Sequence, residues 1–243
     1  IAINENKIIG YLNIFPLNHK ETCLKISMPQ LINNNYSLTE RELTLGLIKK
    51  SISIIDIKTS SWLINSDINN NDLISSSREL GFQPFEEIKL WNYENFNNLN
   101  KQNPKSNKLI DEFQMINKEN LVKVVNFIRS NQSPLLRNVL DFDQNDILKR
   151  NDSNSGVIIY EKSVLCSILK DINFQNKDIY TLTLSKYWDS RFNSFFKEFI
   201  NKFFIKAPYS YLKTFKENHE LNSYLEECGL RETSREIILI KNT

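Results

Sequence analysis

Few side chains in this sequence could do chemistry unaided. The two histidines, His19 and His219, stand in unrelated contexts, and Cys23, Cys166 and Cys228 lie far apart. Zinc sites and disulfide frameworks need clustered ligands, so neither is expected. Three buried thiols in a reducing cytoplasm are expected instead. What recurs is a longer pattern. Asn70-Asn71-Asp72-Leu73-Ile74 leads through Arg78-Glu79-Leu80-Gly81-Phe82 into Glu86-Glu87-Ile88-Lys89-Leu90. Asn218-His219-Glu220-Leu221-Asn222 leads through Glu226-Glu227-Cys228-Gly229-Leu230 into Arg235-Glu236-Ile237-Ile238-Leu239. Asn caps helix starts well, and glycine closes a helix in the left-handed conformation. Each copy therefore reads as strand, short helix, glycine, strand. A repeat this long implies two copies of one domain, and any shared chemistry should show the same groups in both.

The elements that must position these groups follow from composition and periodicity. The chain has 243 residues, 40% hydrophobic and 25% charged, which suits one large or two modest domains. Its formal net charge of +2 gives no strong field for nucleic acid or a membrane surface. The apolar runs fall far short of the roughly 20 residues that span a bilayer, and nothing resembles a signal peptide. Asn, Ile, Lys and Ser are abundant while alanine appears only as Ala2 and Ala207, the signature of AT-rich coding expected of a bacterium with a reduced genome. The chain opens within an apolar stretch at Ile1, as a fragment would.

Ile1–Ile3 and Ile8–Phe15 flank a polar corner and read as a hairpin, with Pro16 stopping the second strand. Thr22–Met28 reads as a third strand. Thr39–Ile55 is helical, with Leu43, Leu47 and Ile48 on one side, Ser37 or Thr39 as cap, and Glu40 and Glu42 at the positive end of the dipole. Ser61–Asn65 is a strand, Asn70–Leu80 a helix and Phe82–Trp91 a closing strand. The Asn-rich stretch 95–108, with Lys101, Lys105 and Lys108, has too few apolar groups to fold and reads as a solvated linker. It separates a first domain, 1–94, from a second, 109–243. In the second, Glu112–Ile116 is a strand, Asn120–Arg129 an amphipathic helix, and Pro134–Arg150 holds another helix. Gly156–Tyr160 and Val164–Ile172 form a hairpin, and Ile179–Leu184 is a strand. Arg191–Phe204 is a Phe-rich helix whose spacing argues core packing. Ser210–Phe215, Glu220–Cys228 and Leu230–Ile240 complete the order as strand, helix, strand. The first domain shows this order from its hairpin onward, without the opening strand and helices.

This order, with Asn, ten residues, Gly and then Phe82 or Leu230, resembles the GNAT (Gcn5-related N-acetyltransferase) superfamily. The resemblance implies an α/β fold, an α+β arrangement around a mixed sheet, as two GNAT-like domains in tandem. It also implies transfer of an acetyl group from acetyl-coenzyme A to an amine acceptor, a small molecule or peptide; the near-neutral charge argues against a nucleic-acid partner. Such proteins cradle the coenzyme A pyrophosphate in a glycine-rich turn at a helix start. The equivalent turns here, Met28–Glu40 and Ser185–Asn193, hold no glycine. Gln30, Asn33, Asn34 and Asn35 stand in the first, and asparagine tolerates positive φ. Tyr187, Trp188, Asp189 and Arg191 stand in the second, where the two bulky rings would crowd a phosphate. Arg41 and Arg191, near the two helix starts, are the candidates for pairing with phosphate. Asn70 and Asn218 are candidates for a shared role, with helix capping as the simpler account. The family's usual tyrosine proton donor falls at Ser77 and Leu225, with Tyr224 one residue away. Glu5, Glu21 and Glu161 lie near strand ends, but nothing selects one as a base, so no catalytic residue is assigned. The missing glycines and tyrosine favour the rival reading, a non-catalytic scaffold or binding module of the same fold.

Overall fold

The computed structural model describes residues 1–4, 7–32, 38–54, 58–93, 113–172, 178–186, 188 and 193–243. The expected linker, 95–108, lies outside these described residues, as do Glu5, Asn33, Asn34, Asn35, Ser37, Tyr187, Asp189 and Arg191. The chain divides into two units. Unit 1 comprises Ile1–Glu87, Asn138–Asp141 and Arg235–Thr243; unit 2 comprises Ile88–Arg137 and Phe142–Ser234.

Unit 1 opens with β1 (Ala2–Asn4) and β2 (Lys7–Tyr11), followed by β3 (Ile14–Pro16), β4 (Cys23–Ile26) and β5 (Gln30–Leu31). The run expected as a single strand from Ile8 to Phe15 is divided in two. The cause lies in its partner. β3 pairs β4 antiparallel from Pro16↔Leu24 to Ile14↔Ile26, and β2 pairs β5 from Tyr11↔Gln30 to Gly10↔Leu31. Between these two pairings the register slips by one residue, so Ser27, Met28 and Pro29 lie opposite only Leu12 and Asn13. One extra residue in one strand is a β-bulge, which bends that strand and increases its twist. The two-residue β5 is too short to show a period in sequence. Gly10 is needed beside it, because a Cβ there would lie 3.1 Å from Leu31 Cδ2 and 3.4 Å from Leu47 Cδ1.

The helix α1 (Glu40–Ser53) starts where Thr39 caps it. Thr39 Oγ1 accepts from Glu42 N–H at 3.2 Å, and Glu42 Oε2 accepts from Thr39 N–H at 2.7 Å, a complete capping box. Leu43, Leu47 and Ile48 are its buried face. The strand β6 (Ser61–Asp67) lies parallel to β4, from Cys23↔Ser61 to Ile26↔Ile64. The helix α2 (Asn71–Glu79) is capped by Asn70, whose Oδ1 accepts from Leu73 N–H at 3.0 Å, and closed by Gly81 at φ +88°. Ile26, Ile48, Trp62, Ile64, Leu73, Phe82 and Leu239 form the core of this unit.

The strand β7 (Gln83–Tyr93) begins in unit 1 and ends in unit 2. Unit 2 then holds β8 (Phe113–Gln114) and α3 (Leu121–Asn131). Next come α4 (Pro134–Leu140), whose last residues belong to unit 1, and α5 (Gln144–Arg150). A single helix was expected over Pro134–Arg150; Asp141 at φ +40° interrupts it, and Asp143 recaps the chain through a second capping box with Asp146. The hairpin β9 (Gly156–Tyr160) and β10 (Ser163–Lys170) turns through Glu161 and Lys162, both at positive φ. The remaining elements are β11 (Ile179–Leu184), α6 (Asn193–Lys206), β12 (Tyr211–Phe215), α7 (His219–Glu227) and β13 (Leu230–Asn242).

Strand order in unit 2 is β12-β11-β10-β9-β8, with β11 and β12 parallel and the other pairs antiparallel. The last strands are exchanged. β12 pairs antiparallel with the second part of β7, from Leu212↔Trp91 to Phe215↔Ile88. The equivalent strand of unit 1, β6, pairs with the second part of β13, from Glu236↔Asp67 to Asn242↔Ser61. Each unit is thus completed by the strand that follows the other unit's last helix.

Candidate functional site

In unit 1 the chemistry-bearing residues gather where β4 and β6 part. Their parallel pairing stops at Ile26↔Ile64, although β6 continues to Asp67. The bulge follows immediately on β4 and carries that chain away. Crevices beyond the carboxyl ends of parallel strands are the usual ligand sites of α/β sheets. A cavity of about 260 Å³ opens here, lined by Met28 and Pro29 of the bulge, Leu31, Glu40, Arg41 and Thr44 of α1, and Asn70, Asp72 and Leu73 at the start of α2. Arg41 and Asn70, two of the expected candidates, are brought together. Asn70 Oδ1 is engaged in capping α2, and Arg41 Nη2 donates to Glu79 Oε2 at 2.8 Å in an exposed pair. Gln30 is exposed and turns its amide to the Met28 carbonyl at 3.4 Å. The bulge offers one N–H, that of Met28, because Ser27 N–H donates to Asn13 O at 2.8 Å and Pro29 has none.

The electrostatics of this cavity are mixed. Glu40 and Asp72 line it together with the single cation Arg41. The α1 N-terminus, where backbone N–H groups and the helix dipole favour an anion, already holds the Glu42 carboxylate. Hydrogen bonds from the Thr39 N–H and hydroxyl keep that carboxyl below its ordinary range. Sequence reasoning placed Glu40 and Glu42 at the dipole but did not see that Glu42 occupies the anion position. The Thr39-x-x-Glu42 spacing was the signal that could have shown it.

The corresponding place in unit 2 is built differently. β10 and β11 pair from Lys170↔Tyr180 to Cys166↔Leu184 without a slip, and Ser185 N–H continues the ladder to Leu165 O at 2.8 Å. No bulge bends β11. Trp188 packs edge-on against Phe196 of α6, ring centroids 5.4 Å apart, and donates from Nε1 to Asn193 Oδ1 at 3.1 Å. Tyr224 also packs against the Phe196 ring, at 6.4 Å. The Phe-rich helix is core, as expected from its spacing: Phe196, Phe199, Phe203 and Phe204 are all buried. Asn218 stands at the start of α7 with backbone angles matching Asn70 but makes no capping bond with its side chain. Arg191 lies outside the described residues.

The expected proton-donor positions, Ser77 and Leu225, are both fully buried. Of the base candidates, Glu21 and Glu161 adopt positive φ in turns. All three cysteines are free and buried, and burial pushes the Cys23 thiol up to about 11, away from nucleophilic use at neutral pH.

No family model matches the sequence, and no curated protein is similar to it in sequence. Solved structures are similar in shape. A GCN5-related N-acetyltransferase from Sphaerobacter thermophilus aligns at TM-score 0.57 and 9% identity, over 96% of this chain and 76% of that one. A GNAT-family acetyltransferase from Colwellia psychrerythraea aligns at 0.51 and 11% identity, over 100% and 84%. The N-myristoyltransferase of Saccharomyces cerevisiae, solved with bound myristoyl-CoA and inhibitors, aligns at 0.52 and 10% identity, over 98% and 65%. The chain has the GNAT fold. In unit 2 the parallel pairing of β11 with β12 stops at Thr181↔Lys213, although β11 continues to Leu184. Among the described residues, no helix is long and apolar enough to cross a membrane.

Proposed function

We propose that unit 1 is an acyl-coenzyme A site and that the protein, a cytoplasmic tandem of two GNAT-like domains, transfers an acetyl group to an amine. The observation that carries this reading is the conjunction, in unit 1, of parallel strands β4 and β6 that part, a bulge after β4, and an open cavity lined by that bulge and the starts of α1 and α2. Bound acetyl-coenzyme A would supply the activated thioester. The cavity fits an acyl-pantetheine arm, with the Met28 N–H as the backbone donor near a developing oxyanion. Arg41, half exposed at the start of α1, would meet the phosphates. The diphosphate end fits less well, since Glu42 already takes the helix terminus and no glycine lets the backbone close on it.

The test is thermal unfolding with and without acetyl-coenzyme A, read beside release of the coenzyme A thiol. Ligand at 100 times its dissociation constant stabilises by about 2.7 kcal/mol. Arg41→Ala should abolish the shift and Arg191→Ala should not. No shift at millimolar ligand sinks the reading.

A second reading has its own support. The self-capped α1, together with buried Ser77 and Leu225 where a tyrosine would donate a proton, suits a binding module of the same fold without catalysis. A thermal shift with no thiol release, whatever amine is offered, would favour it.

A further inference from the structure

Past Ile64, β6 has lost β4 on one side but keeps β13 on the other. Asn65↔Ile238, Ser66↔Ile237 and Asp67↔Glu236 continue that antiparallel pairing. Residues directly opposite one another share a face, and faces alternate along each strand. Trp62, Ile64 and Leu239 pack with Ile48 of α1 and Leu73 of α2. Asn65, Asp67, Ile238 and Glu236 therefore lie on the face turned away from those helices. There the Asn65 amide donates from Nδ2 to Glu236 Oε2 at 2.9 Å. Asn65 and Glu236 are half-buried and Asp67 is exposed, whereas Ile238, Leu63 and Ile240 of the same face are buried.

Unit 2 fills the matching positions differently. Asn65↔Ile238 corresponds to Lys213↔Leu90, and Asp67↔Glu236 to Phe215↔Ile88, both pairs displaced by the same number of residues. Lys213 is held in an ion pair with Asp171, and Ile88 is 1% exposed. In unit 1, where the cavity opens, the same register sets two carboxylates opposite one another. Like charges so placed destabilise a sheet, and a cation is their natural complement.

On the acyl-coenzyme A reading of unit 1, we propose that Glu236 is its general base and that the acceptor is a cationic amine, arriving on the face opposite α1 and α2. The two helix starts, with Glu40 and Asp72, line the cavity that receives acyl-coenzyme A. A nucleophile therefore reaches a thioester held in the parting of β4 and β6 from the other face. Neighbouring strands lie about 4.8 Å apart, so Glu236 stands one strand from that parting, across Asn65. Asn65 is a positioning residue: its amide fixes Oε2 and turns Oε1 to the ammonium. Glu236 takes one proton from the ammonium, and the freed nitrogen adds to the thioester carbonyl. The C–N bond forms, the C–S bond breaks, and the departing thiolate takes the second proton from nitrogen. Glu236 then releases its proton to water. The charged groups on the strands around it are Asp67 on β6, Lys25 on β4, and Glu86 and Glu87 on β7, which lies on the other side of β13.

The probe is 1,4-diaminobutane with acetyl-coenzyme A, followed by thiol release and by thermal unfolding. Glu236→Gln keeps the side chain's size and an oxygen for the Asn65 amide. It should lower kcat/KM about 100-fold or more, the contribution of a positioned base, and remove the acid limb of the kcat/KM pH profile. Its acetyl-coenzyme A thermal shift should match the wild type, which shows the variant folded and loaded. Asn65→Ala should lower kcat by a smaller factor, with the amine KM and the acid limb kept. Unchanged turnover and pH profile in Glu236→Gln would overturn the proposal and leave the acyl-coenzyme A reading standing. No acetyl-coenzyme A shift in the wild type would overturn that reading, and the base with it. A wild-type shift without thiol release to 1,4-diaminobutane, benzylamine or a lysine peptide would overturn the base and favour the binding module.

Discussion

The run from β4 (Cys23–Ile26) to β5 (Gln30–Leu31) in unit 1 and β11 (Ile179–Leu184) in unit 2 differ by one bulge. In unit 1 the register slips between Ile14↔Ile26 and Tyr11↔Gln30, the chain swings away from β6, and a cavity opens. In unit 2 the ladder runs unbroken to Ser185 and aromatic rings pack beyond it. The backbones that flank these places are nearly the same. Asn70 and Asn218 share similar φ and ψ, roughly −80° and +70°, and Gly81 and Gly229 close their helices at φ +88° and +90°. The same flanking backbone is therefore compatible with an open cavity in one unit and with packed rings in the other.

The largest effect should come from breaking the converted copy. Phe196 is 1% exposed and is met by Trp188, Phe199 and Tyr224. Phe196→Ala should cost about 3–5 kcal/mol in unfolding free energy, the range for removing a buried phenylalanine. The acetyl-coenzyme A shift of the molecules still folded should be unchanged. Loss of ligand binding at matched folding would mean that unit 2 holds the site.

Next is the bulge itself. Deleting Met28 removes the extra residue and gives unit 1 the unbroken ladder of unit 2. The stabilisation by acetyl-coenzyme A, about 2.7 kcal/mol at 100 times the dissociation constant, should vanish while the chain still folds. A retained shift would separate ligand binding from the bulge.

The matched features give a smaller, symmetric test. Gly81→Ala and Gly229→Ala each force a Cβ into the left-handed region, at about 1–2 kcal/mol. A Cβ at either position would meet no atom closer than 3.5 Å, so strain and not collision sets the cost. Equal losses by chemical denaturation would support one ancestral cap; a marked inequality would argue that the two ends only look alike.

These helix ends were the most legible part of the sequence. An Asn, a glycine and an apolar stripe encode their own local structure, and the long strands and helices followed from periodicity. The bulge was hidden, because one added residue changes no local pattern and shows only against the partner strand. The exchange of β7 and β13 was hidden for the same reason: a strand's sequence records which faces are buried but not which neighbour it pairs with. Met28 and Pro29 fall within the expected turn Met28–Glu40, Arg41 and Asn70 were singled out from a helix start and a repeated motif, and Thr44, Asp72 and Leu73, which line the same cavity, were not singled out.

Arg41→Ala comes next in size. The pair with Glu79 is half exposed at both ends, 53% and 55%, so its loss should change stability by less than about 1 kcal/mol. The same variant should abolish the ligand shift. A large loss of stability with ligand binding intact would reverse the role assigned to it.

The smallest effect is the one that bears most directly on how the ligand is held. Glu42 accepts hydrogen bonds from the Thr39 N–H and hydroxyl, which hold its carboxyl below the ordinary value of 4.5. A carboxyl with a lowered folded-state value binds fewer protons folded than unfolded, so its contribution is full above the ordinary value and fades as pH falls through the lowered one. Unfolding measured between pH 6 and pH 3 should show this fading in the wild type, and Glu42→Gln, which cannot ionise, should lack it. The first turn of α6 carries no acid, so no such dependence is expected from the matching terminus of unit 2. Removing the Glu42 charge also removes its repulsion of a phosphate approaching the start of α1. Acetyl-coenzyme A affinity should then rise several-fold. If Glu42→Gln leaves affinity unchanged, the diphosphate does not approach this terminus, and the site of unit 1 must hold its ligand by the acyl-pantetheine end alone.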